Sequence, residues 1–251
     1  MRRPRRGCAT LFAAALQAVL LAAPAPAAAA AEKPIASTGE EPALPVPAAT
    51  YRVHGVVQLL EKGKPSSDPT LQPRKTVVVF EPALKPRAPR ALTAEMSTAK
   101  KEFAPRLLVV PVGSTVRFPN LDPILHNVFS ISGRNSFDLG LLGKGPGKVA
   151  TFREPGIVRV FCNVHHGMFA YVYVVATPHW ATAGEAGKFE LQGLPAGPGR
   201  LTIWNERSAP TTVDLTLPAR SPVTIGVEIT MPRIPPHKNK LGKSYTGGNY
   251  G

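Results

Sequence analysis

Cysteine is nearly absent from this chain of 251 residues: there are two, and Cys8 lies in an N-terminal segment that has the pattern of a leader. A disulfide framework is therefore excluded, and Cys162 is left as a lone thiol that is either buried and inert or held for chemistry. Histidine is also scarce. Of the six histidines only His165 and His166 are clustered, which excludes an enzyme built on several metal centres.

Long apolar runs are confined to the N-terminus. Four arginines precede an apolar run at residues 9–23, and a stretch of alanine and proline follows to residue 31. This order is typical of a secretory signal peptide, and the run is shorter than the roughly 20 residues of a membrane-spanning helix. We predict that residues 1–31 are a cleaved signal peptide, that the protein is exported to the periplasm, and that residues 32–50 are an extended linker.

Short β-branched runs fill the chain after residue 50, and turns containing glycine, proline or asparagine separate them. No helical period competes with them in the second half, so the pattern predicts an all-β protein of β-sandwich type. The predicted strands are 51–60, 76–80, 107–111, 115–119, 127–130, 148–152, 157–162, 169–176, 188–191, 200–204, 211–217 and 223–231. The run at 169–176 is apolar throughout and predicts a central strand.

Positive charge exceeds negative charge, with 30 lysines and arginines against 16 acids and a net charge of +14. A nucleic-acid partner is not expected, because there is no basic helix or aromatic–basic platform and the protein is predicted to be exported. Acidic partner proteins fit the charge better, because charge steers the encounter of weakly bound proteins. The basic tail at 232–251 becomes rich in glycine and tyrosine, which predicts disorder.

The most informative stretch, residues 161–168, reads Phe-Cys-Asn-Val-His-His-Gly-Met and carries a thiol, two imidazoles and a thioether between two predicted strands. Another histidine, His126, stands 36 residues before Cys162. A thiolate with two imidazoles and a weak axial thioether is the ligand set of blue copper. Zinc is the main rival, but structural zinc sites favour several cysteines and seldom use methionine. The alternative without a metal is that Cys162 is a core thiol and that the histidines form a surface turn.

The residues around this loop resemble the cupredoxin family, in particular amicyanin-like and plastocyanin-like members. The matching text is Val-Val-Pro-Val-Gly-Ser-Thr-Val-Arg-Phe-Pro-Asn at 109–120, His-Asn-Val-Phe-Ser at 126–130, and the loop itself. The resemblance implies a Greek-key β-sandwich over residues 96–176 and one type 1 copper ion. It implies equatorial ligands His126, Cys162 and His165, with Met168 as the axial ligand.

Two further assignments accompany this ligand set. His166 would be the ligand instead of His165 if the spacing were read one residue later, but only one residue would then separate it from Met168. Asn127 matches the family residue whose side chain ties the two ligand loops together, so we expect it to support the ligands without binding the metal.

The closing segment resembles the latter half of a carboxypeptidase-regulatory-like, prealbumin-type β-sandwich, on the text Gly-Lys-Phe-Glu-Leu-Gln-Gly-Leu-Pro-Ala-Gly at 187–197. Its first half matches residues 51–95, so the resemblance implies a smaller, discontinuous sandwich of 51–95 and 187–231 with the cupredoxin inserted. Residues 177–186 would be a linker. This layout also resembles periplasmic proteins named for methylamine utilisation. A rival layout treats residues 51–80 as the opening strands of the cupredoxin itself.

These resemblances imply an electron carrier that is not itself an enzyme. It would pass single electrons between redox partner proteins. Two other functions stay open: a protein that stores or delivers copper without redox turnover, and an interaction module in which copper only fixes structure.

Overall fold

The computed structural model describes residues 50–219, 222–241 and 243. The predicted signal peptide, residues 32–49 of the predicted linker and most of residues 242–251 lie outside the described residues. The described residues form strands and two short 3₁₀ turns, which confirms the all-β class. In chain order the strands are β1 Tyr51–Glu61, β2 Lys64–Pro65, β3 Thr76–Pro82, β4 Thr93–Glu95, β5 Ser97–Ala99, β6 Glu102–Ala104, β7 Leu107–Pro111, β8 Thr115–Asn120, β9 His126–Ser130, β10 Phe137–Leu142, β11 Gly145–Thr151, β12 Gly156–Phe161, β13 Phe169–Val175, β14 Trp180–Thr182, β15 Lys188–Leu194, β16 Gly197–Asn205, β17 Thr211–Leu217 and β18 Val223–Glu228.

Strands from the two ends of the described chain pair with each other and form what we call the split sandwich. β1 lies between β15 and β18, with β2 folded back on it, and the second sheet has the order β14-β3-β16-β17. The apolar residues of these strands alternate, so one face of each sheet closes a shared core that includes Val53, Phe80 and Leu201. The rival layout would require β1 and β3 to pair with strands of residues 96–176, and the structure pairs both with strands of residues 180–228.

The chain between these two halves forms the continuous sandwich, residues 93–175. One sheet has the order β10-β9-β12-β13-β7, and the other has the order β11-β8-β5-β6 with β4 beside β8. Their facing sides enclose a second core, to which Phe118, Val160 and Val172 contribute fully buried side chains. Where the chain divides into separately folding domains stays a prediction.

All seven residues of β13 are buried because both of its faces are covered. Ala170, Val172 and Val174 face the core of the continuous sandwich. The alternate side chains, such as Tyr171, pack in a third cluster with Val77 and Val79 of β3 and with Trp204 of β16. The predicted central strand, β13, therefore packs on one face against the core of its own sandwich and on the other face against the split sandwich.

An ion cluster lies beside this third apolar cluster. The carboxylate of Glu206 contacts Nε of Arg106 at 2.8 Å and Nζ of Lys75 at 3.0 Å, and its side chain is only 9% exposed. The Arg106 guanidinium also lies 3.9 Å from the ring centre of Phe169. Because Glu206 belongs to the split sandwich and Arg106 precedes β7 of the continuous one, their ion pair joins the two sandwiches, and Lys75 of the split sandwich holds the other oxygen of the carboxylate.

The expected linker, the domain bounds and the expected disorder of the tail differ from the structure in three segments. The predicted linker at 177–186 contains β14, which pairs with β3 and half-buries Trp180. β4, which we assigned to the first half of the split sandwich, pairs with β8 of the continuous one. The tail was expected to be disordered from residue 232, but His237 stacks on Phe161 with ring centres 4.1 Å apart and planes 8° apart, and Lys240 donates to Asp138 at 2.8 Å. An aromatic surface and a carboxylate therefore hold the first part of the tail.

Candidate metal centre

Cys162 follows the last residue of β12, and the loop that it opens closes at the start of β13. The Cys162 N–H donates to the Met168 carbonyl at 3.1 Å, and the Met168 N–H donates to the His165 carbonyl at 3.0 Å. Because β12 and β13 are antiparallel neighbours in register up to Phe161 and Phe169, the loop is a tight connection at the end of a hairpin. Cys162 is fully buried in the core of the continuous sandwich.

His126 is the first residue of β9, which lies on the other side of β12. Phe129 pairs with Phe161, so the start of β9 and the Cys162 loop meet at the same end of the sheet. The imidazole of His126 is fully buried as well. Residues far apart in sequence thus come together because their strands are neighbours.

The structure brings His126, Cys162 and His165 together. The two Nδ1 atoms of the histidines lie 3.1 Å apart, and Sγ of Cys162 lies 4.0 Å from Nδ1 of His126 and 3.6 Å from Nδ1 of His165. Metal bonds of about 2.0–2.3 Å to three donors in a plane separate those donors by about 3.5–4 Å. Among the described residues, this is the one group of three histidine, cysteine or acidic side chains with metal-binding spacing, and it contains His165 rather than His166.

Met168 lies at the end of the same loop, beside this group. Its side chain is 2% exposed and packs in the same apolar cluster as Cys162. Both Met168 and His165 line a small cavity of about 200 Å³ together with Lys101 and Arg106. A thioether from Met168 as an axial ligand therefore stays a prediction.

The hydrogen bonds of Asn127 lead to β10, and its support of the ligands stays a prediction. Its Nδ2 donates to Oδ1 of Asp138 at 2.8 Å and to the carbonyl of Gly140 at 2.9 Å, both in β10. The side chain therefore ties β9 to β10, and these bonds do not reach the Cys162 loop. Its buried Oδ1 accepts no hydrogen bond from the described residues. The backbone makes this possible because β10 has a bulge between Asp138 and Leu141 that turns the Gly140 carbonyl toward β9.

Sequence reasoning missed Asp122, which stands four residues before His126. Its Oδ2 accepts a hydrogen bond from Nε2 of His126 at 2.8 Å. The same carboxylate accepts the backbone N–H groups of Lys100 at 2.7 Å and Lys101 at 3.0 Å. The bond from Lys101, with those from His126 and Lys100, lowers the pKa of Asp122 to about 2. The only sequence signal is an acid four residues ahead of a histidine, which is common in loops.

Asn120 gives the loop of residues 120–126 its shape. Its buried amide accepts from Oγ1 of Thr98 and from the Asp122 N–H, both at 2.9 Å. It donates to the carbonyls of Ile124 at 2.8 Å and Leu142 at 2.9 Å. All four hydrogen-bonding positions of this side chain are therefore satisfied, and they fix the point from which Asp122 reaches His126.

The two histidines differ in exposure and in charge. His126 is sealed from solvent, whereas His165 is half-buried. Burial lowers the pKa of His165, and the positive charge of Lys101 lowers it further. At neutral pH His165 is therefore held in the neutral form, which is the form that binds a metal.

Comparisons with known proteins gave structural neighbours only. No family model matches the chain, and no curated protein matches it. A purple cupredoxin from Nitrosopumilus maritimus aligns with 26% identity over 33% of this chain and 99% of its own, with a TM-score of 0.30. A reduced amicyanin mutant aligns with 24% identity over 39% of this chain and 99% of its own, with a TM-score of 0.31. A pseudoazurin from Sinorhizobium aligns with 19% identity over 35% of this chain and 76% of its own, with a TM-score of 0.30.

The chain is thus similar to cupredoxins over about a third of its length. TM-scores this low do not establish a shared fold, so we argue the function from the donor atoms. No helix among the described residues is long and apolar enough to span a membrane.

Proposed function

We propose that this protein is a periplasmic type 1 copper protein that transfers single electrons between redox partners. The observation that carries the proposal is the convergence of one thiol and two imidazole nitrogens within 4.0 Å of each other. A copper ion bound there would supply a one-electron Cu(I)/Cu(II) couple. His126, Cys162 and His165 would hold it, with Met168 as the axial ligand.

The donor set fits copper better than zinc. Thiolate and imidazole serve both oxidation states of copper, and the buried methionine next to the loop suits its long axial bond. Structural zinc sites usually close a tetrahedron with several cysteines, and Cys162 is the single cysteine of the described residues. These residues therefore support copper as the resident metal, with one ion per chain.

Burial supports electron transfer over copper delivery. His126 and Cys162 are fully buried, and hydrogen bonds within the protein fix the positions of both. A rigid and dry ligand set resists change of geometry, which keeps the reorganisation small when an electron arrives or leaves. A protein that stores or delivers the ion would instead have to release its ligands.

His165 is the proposed point of electron exchange, since it is the one of the three donors that reaches the surface. Exposed apolar side chains belong to the segments next to the two histidines: Val164 is 47% exposed, Leu121 55% and Leu125 53%. Exposed apolar groups near a redox site permit close approach of a partner. The net charge of +14 falls to +10 when the four arginines of the predicted signal peptide are removed, and this excess of positive charge makes acidic redox proteins the proposed partners.

The predicted signal peptide supports export to the periplasm. The lone thiol of Cys162 is compatible with that oxidising compartment because a bound metal would protect its sulfur from oxidation. We propose no catalytic residue: the histidines and the cysteine bind and position, and the partner proteins supply the chemistry.

The test is a titration of the mature chain, from residue 32, with copper. We expect one copper per chain, an intense visible band from the copper–thiolate bond, and a reversible one-electron potential. His165→Ala should abolish the band, and His166→Ala is the matched control that should keep it. Copper bound without such a band would support storage or delivery, and a chain that binds no copper would overturn the proposal.

A further inference from the structure

We propose that Asp122 is a positioning residue of the metal centre: its carboxylate fixes the ring of His126 so that Nδ1 is left as a lone-pair donor facing Cys162 and His165. The inference rests on the proposed function for the identity of the metal. The contact between Asp122 and His126 does not depend on it, and can be tested on the metal-free protein.

The direction of the hydrogen bond determines the tautomer of His126. An ionised carboxylate only accepts, so the Nε2 atom that lies 2.8 Å from Oδ2 of Asp122 must carry the proton. A neutral imidazole has one protonated nitrogen, and Nδ1 is therefore unprotonated. This Nδ1 is the atom that lies 3.1 Å from Nδ1 of His165 and 4.0 Å from Sγ of Cys162.

The position of Asp122 is itself fixed from three sides. The Asn120 side chain accepts the Asp122 N–H, and the backbone N–H groups of Lys100 and Lys101 hold the two carboxylate oxygens. Its side chain is only 14% exposed. A carboxylate that is held in one orientation also fixes the orientation of the imidazole ring that it binds.

The turn formed by Lys100 and Lys101 shows that the hydrogen bonds of Asp122 also stabilise the backbone. Lys100 and Lys101 connect β5 to β6 with positive φ angles of 54° and 59°, a turn for which asparagine and glycine are the usual residues. Two lysines are a poor choice for this backbone, and the Asp122 carboxylate offsets the cost by accepting both N–H groups. The same residue therefore holds a metal ligand and the turn that places Lys101 beside His165.

A carboxylate behind a histidine also changes the ligand electronically. The negative charge makes Nδ1 a stronger donor and favours the more highly charged metal ion. Removing it should weaken Cu(II) binding more than Cu(I) binding and should raise the reduction potential. A tenfold difference between the two losses corresponds to 59 mV for one electron.

Two variants separate orientation from charge. Asp122→Ala removes every acceptor, and we expect copper affinity to fall 10–100-fold, the usual effect of losing such a partner. Asp122→Asn keeps one oxygen for His126 but removes the charge, so we expect a smaller loss of affinity and a raised potential. Asp214→Asn and Asp214→Ala are matched controls, since Asp214 is an exposed acid paired with Arg200 in the split sandwich. They should leave both quantities unchanged.

Nitrogen-15 NMR of the metal-free chain tests the positioning without copper. In the wild type we expect the proton of His126 on Nε2, exchanging slowly with solvent because it is hydrogen-bonded and buried. In Asp122→Ala this proton should exchange faster, while Asp214→Ala keeps the wild-type signal. A His126 ring protonated at Nδ1 in the wild type would overturn the proposal.

The proposal would equally be overturned by Asp122 variants that fold and keep the affinity and potential of the Asp214 controls. If the wild type binds no copper, the electron-transfer function fails, and the NMR comparison still decides the role of Asp122. If the wild type is blue and His126 is protonated at Nδ1, the positioning role alone fails.

Discussion

Replacing Asn120 by alanine should destabilise the loop that supports the metal centre and should leave every proposed ligand in place. The side chain is fully buried and makes four hydrogen bonds, of which those with Thr98 and the Leu142 carbonyl join buried atoms. Each buried polar group left without its partner costs about 1–3 kcal/mol, so these two alone cost about 2–6 kcal/mol. We expect the free energy of unfolding to fall by that amount in urea denaturation of the metal-free protein.

The same substitution should also lower copper affinity. Asn120 accepts the backbone N–H of Asp122, and without it the loop that carries Asp122 and His126 loses its anchor. We expect a loss of about tenfold, in the lower part of the range for residues that support ligands. Competition with a copper chelator at fixed pH measures this loss.

Asn205→Ala is the matched control. Asn205 is buried in the split sandwich, donates to Oγ1 of Thr76 at 2.9 Å and accepts the Arg207 N–H at 2.9 Å. This variant should lose stability to a comparable degree and keep the copper affinity of the wild type. Equal affinity losses in the two variants would show that general destabilisation, and not the Asn120 network, weakens the site. A stability loss below about 1 kcal/mol for Asn120→Ala would refute the reasoning on buried partners.

Three further predictions concern the site and its surroundings. Cys162→Ala should abolish the visible band and leave the circular dichroism of the folded protein unchanged, and a surviving band would require a different ligand set. Met168→Leu, a change of similar volume in a buried position, should retain copper and shift the reduction potential, and an unchanged potential in voltammetry would reduce Met168 to a packing residue. The depressed pKa of Asp122 stabilises the fold above the unfolded value of about 3.9, and this contribution is lost as pH falls toward about 2. The stability difference between wild type and Asp122→Ala should therefore shrink between pH 4 and pH 2 in urea titrations, and a constant difference would show that ionisation is not involved.

Sequence patterns revealed the long strands because burial on one face produces alternation and burial on both faces produces an apolar run. β3 is of the second kind: Val-Val-Val-Phe at 77–80 is an unbroken apolar run, since the two faces of the strand lie in two different clusters. The three-residue strands β4, β5, β6 and β14 left no such pattern, because each is too short to show a period. β4 and β14 also pair only with strands that are distant in sequence. β10 was missed for another reason, because Gly140 with φ of 72° interrupts its alternation with a bulge.

The donor atoms could be predicted from sequence because their chemistry is carried by residue type and local spacing. Cys162, His165 and Met168 stand within one hairpin loop, and His126 begins a recognisable strand. The orientation of these donors could not be predicted in the same way. The Asn127 side chain bonds across to β10, and its expected link to the Cys162 loop is not among those bonds, since a bulge offers it the Gly140 carbonyl.

The hydrogen bonds that orient His126 cross three segments that no local pattern connects. Thr98 and the lysine turn come from one hairpin, Asn120 and Asp122 from the loop before the ligand, and the Leu142 carbonyl from the end of β10. Each of these residues is ordinary in its own segment: a strand threonine, a turn asparagine, a loop aspartate. Their common effect arises only when β5 and β8 lie side by side and bring Thr98 opposite Asn120. The local sequence therefore identifies the proposed metal ligands, whereas the folded sheet determines the tautomer and the ring orientation of a ligand such as His126. For this reason the Asp122 and Asn120 variants, which leave every predicted ligand in place, test the fold of the site more sharply than removal of a ligand does.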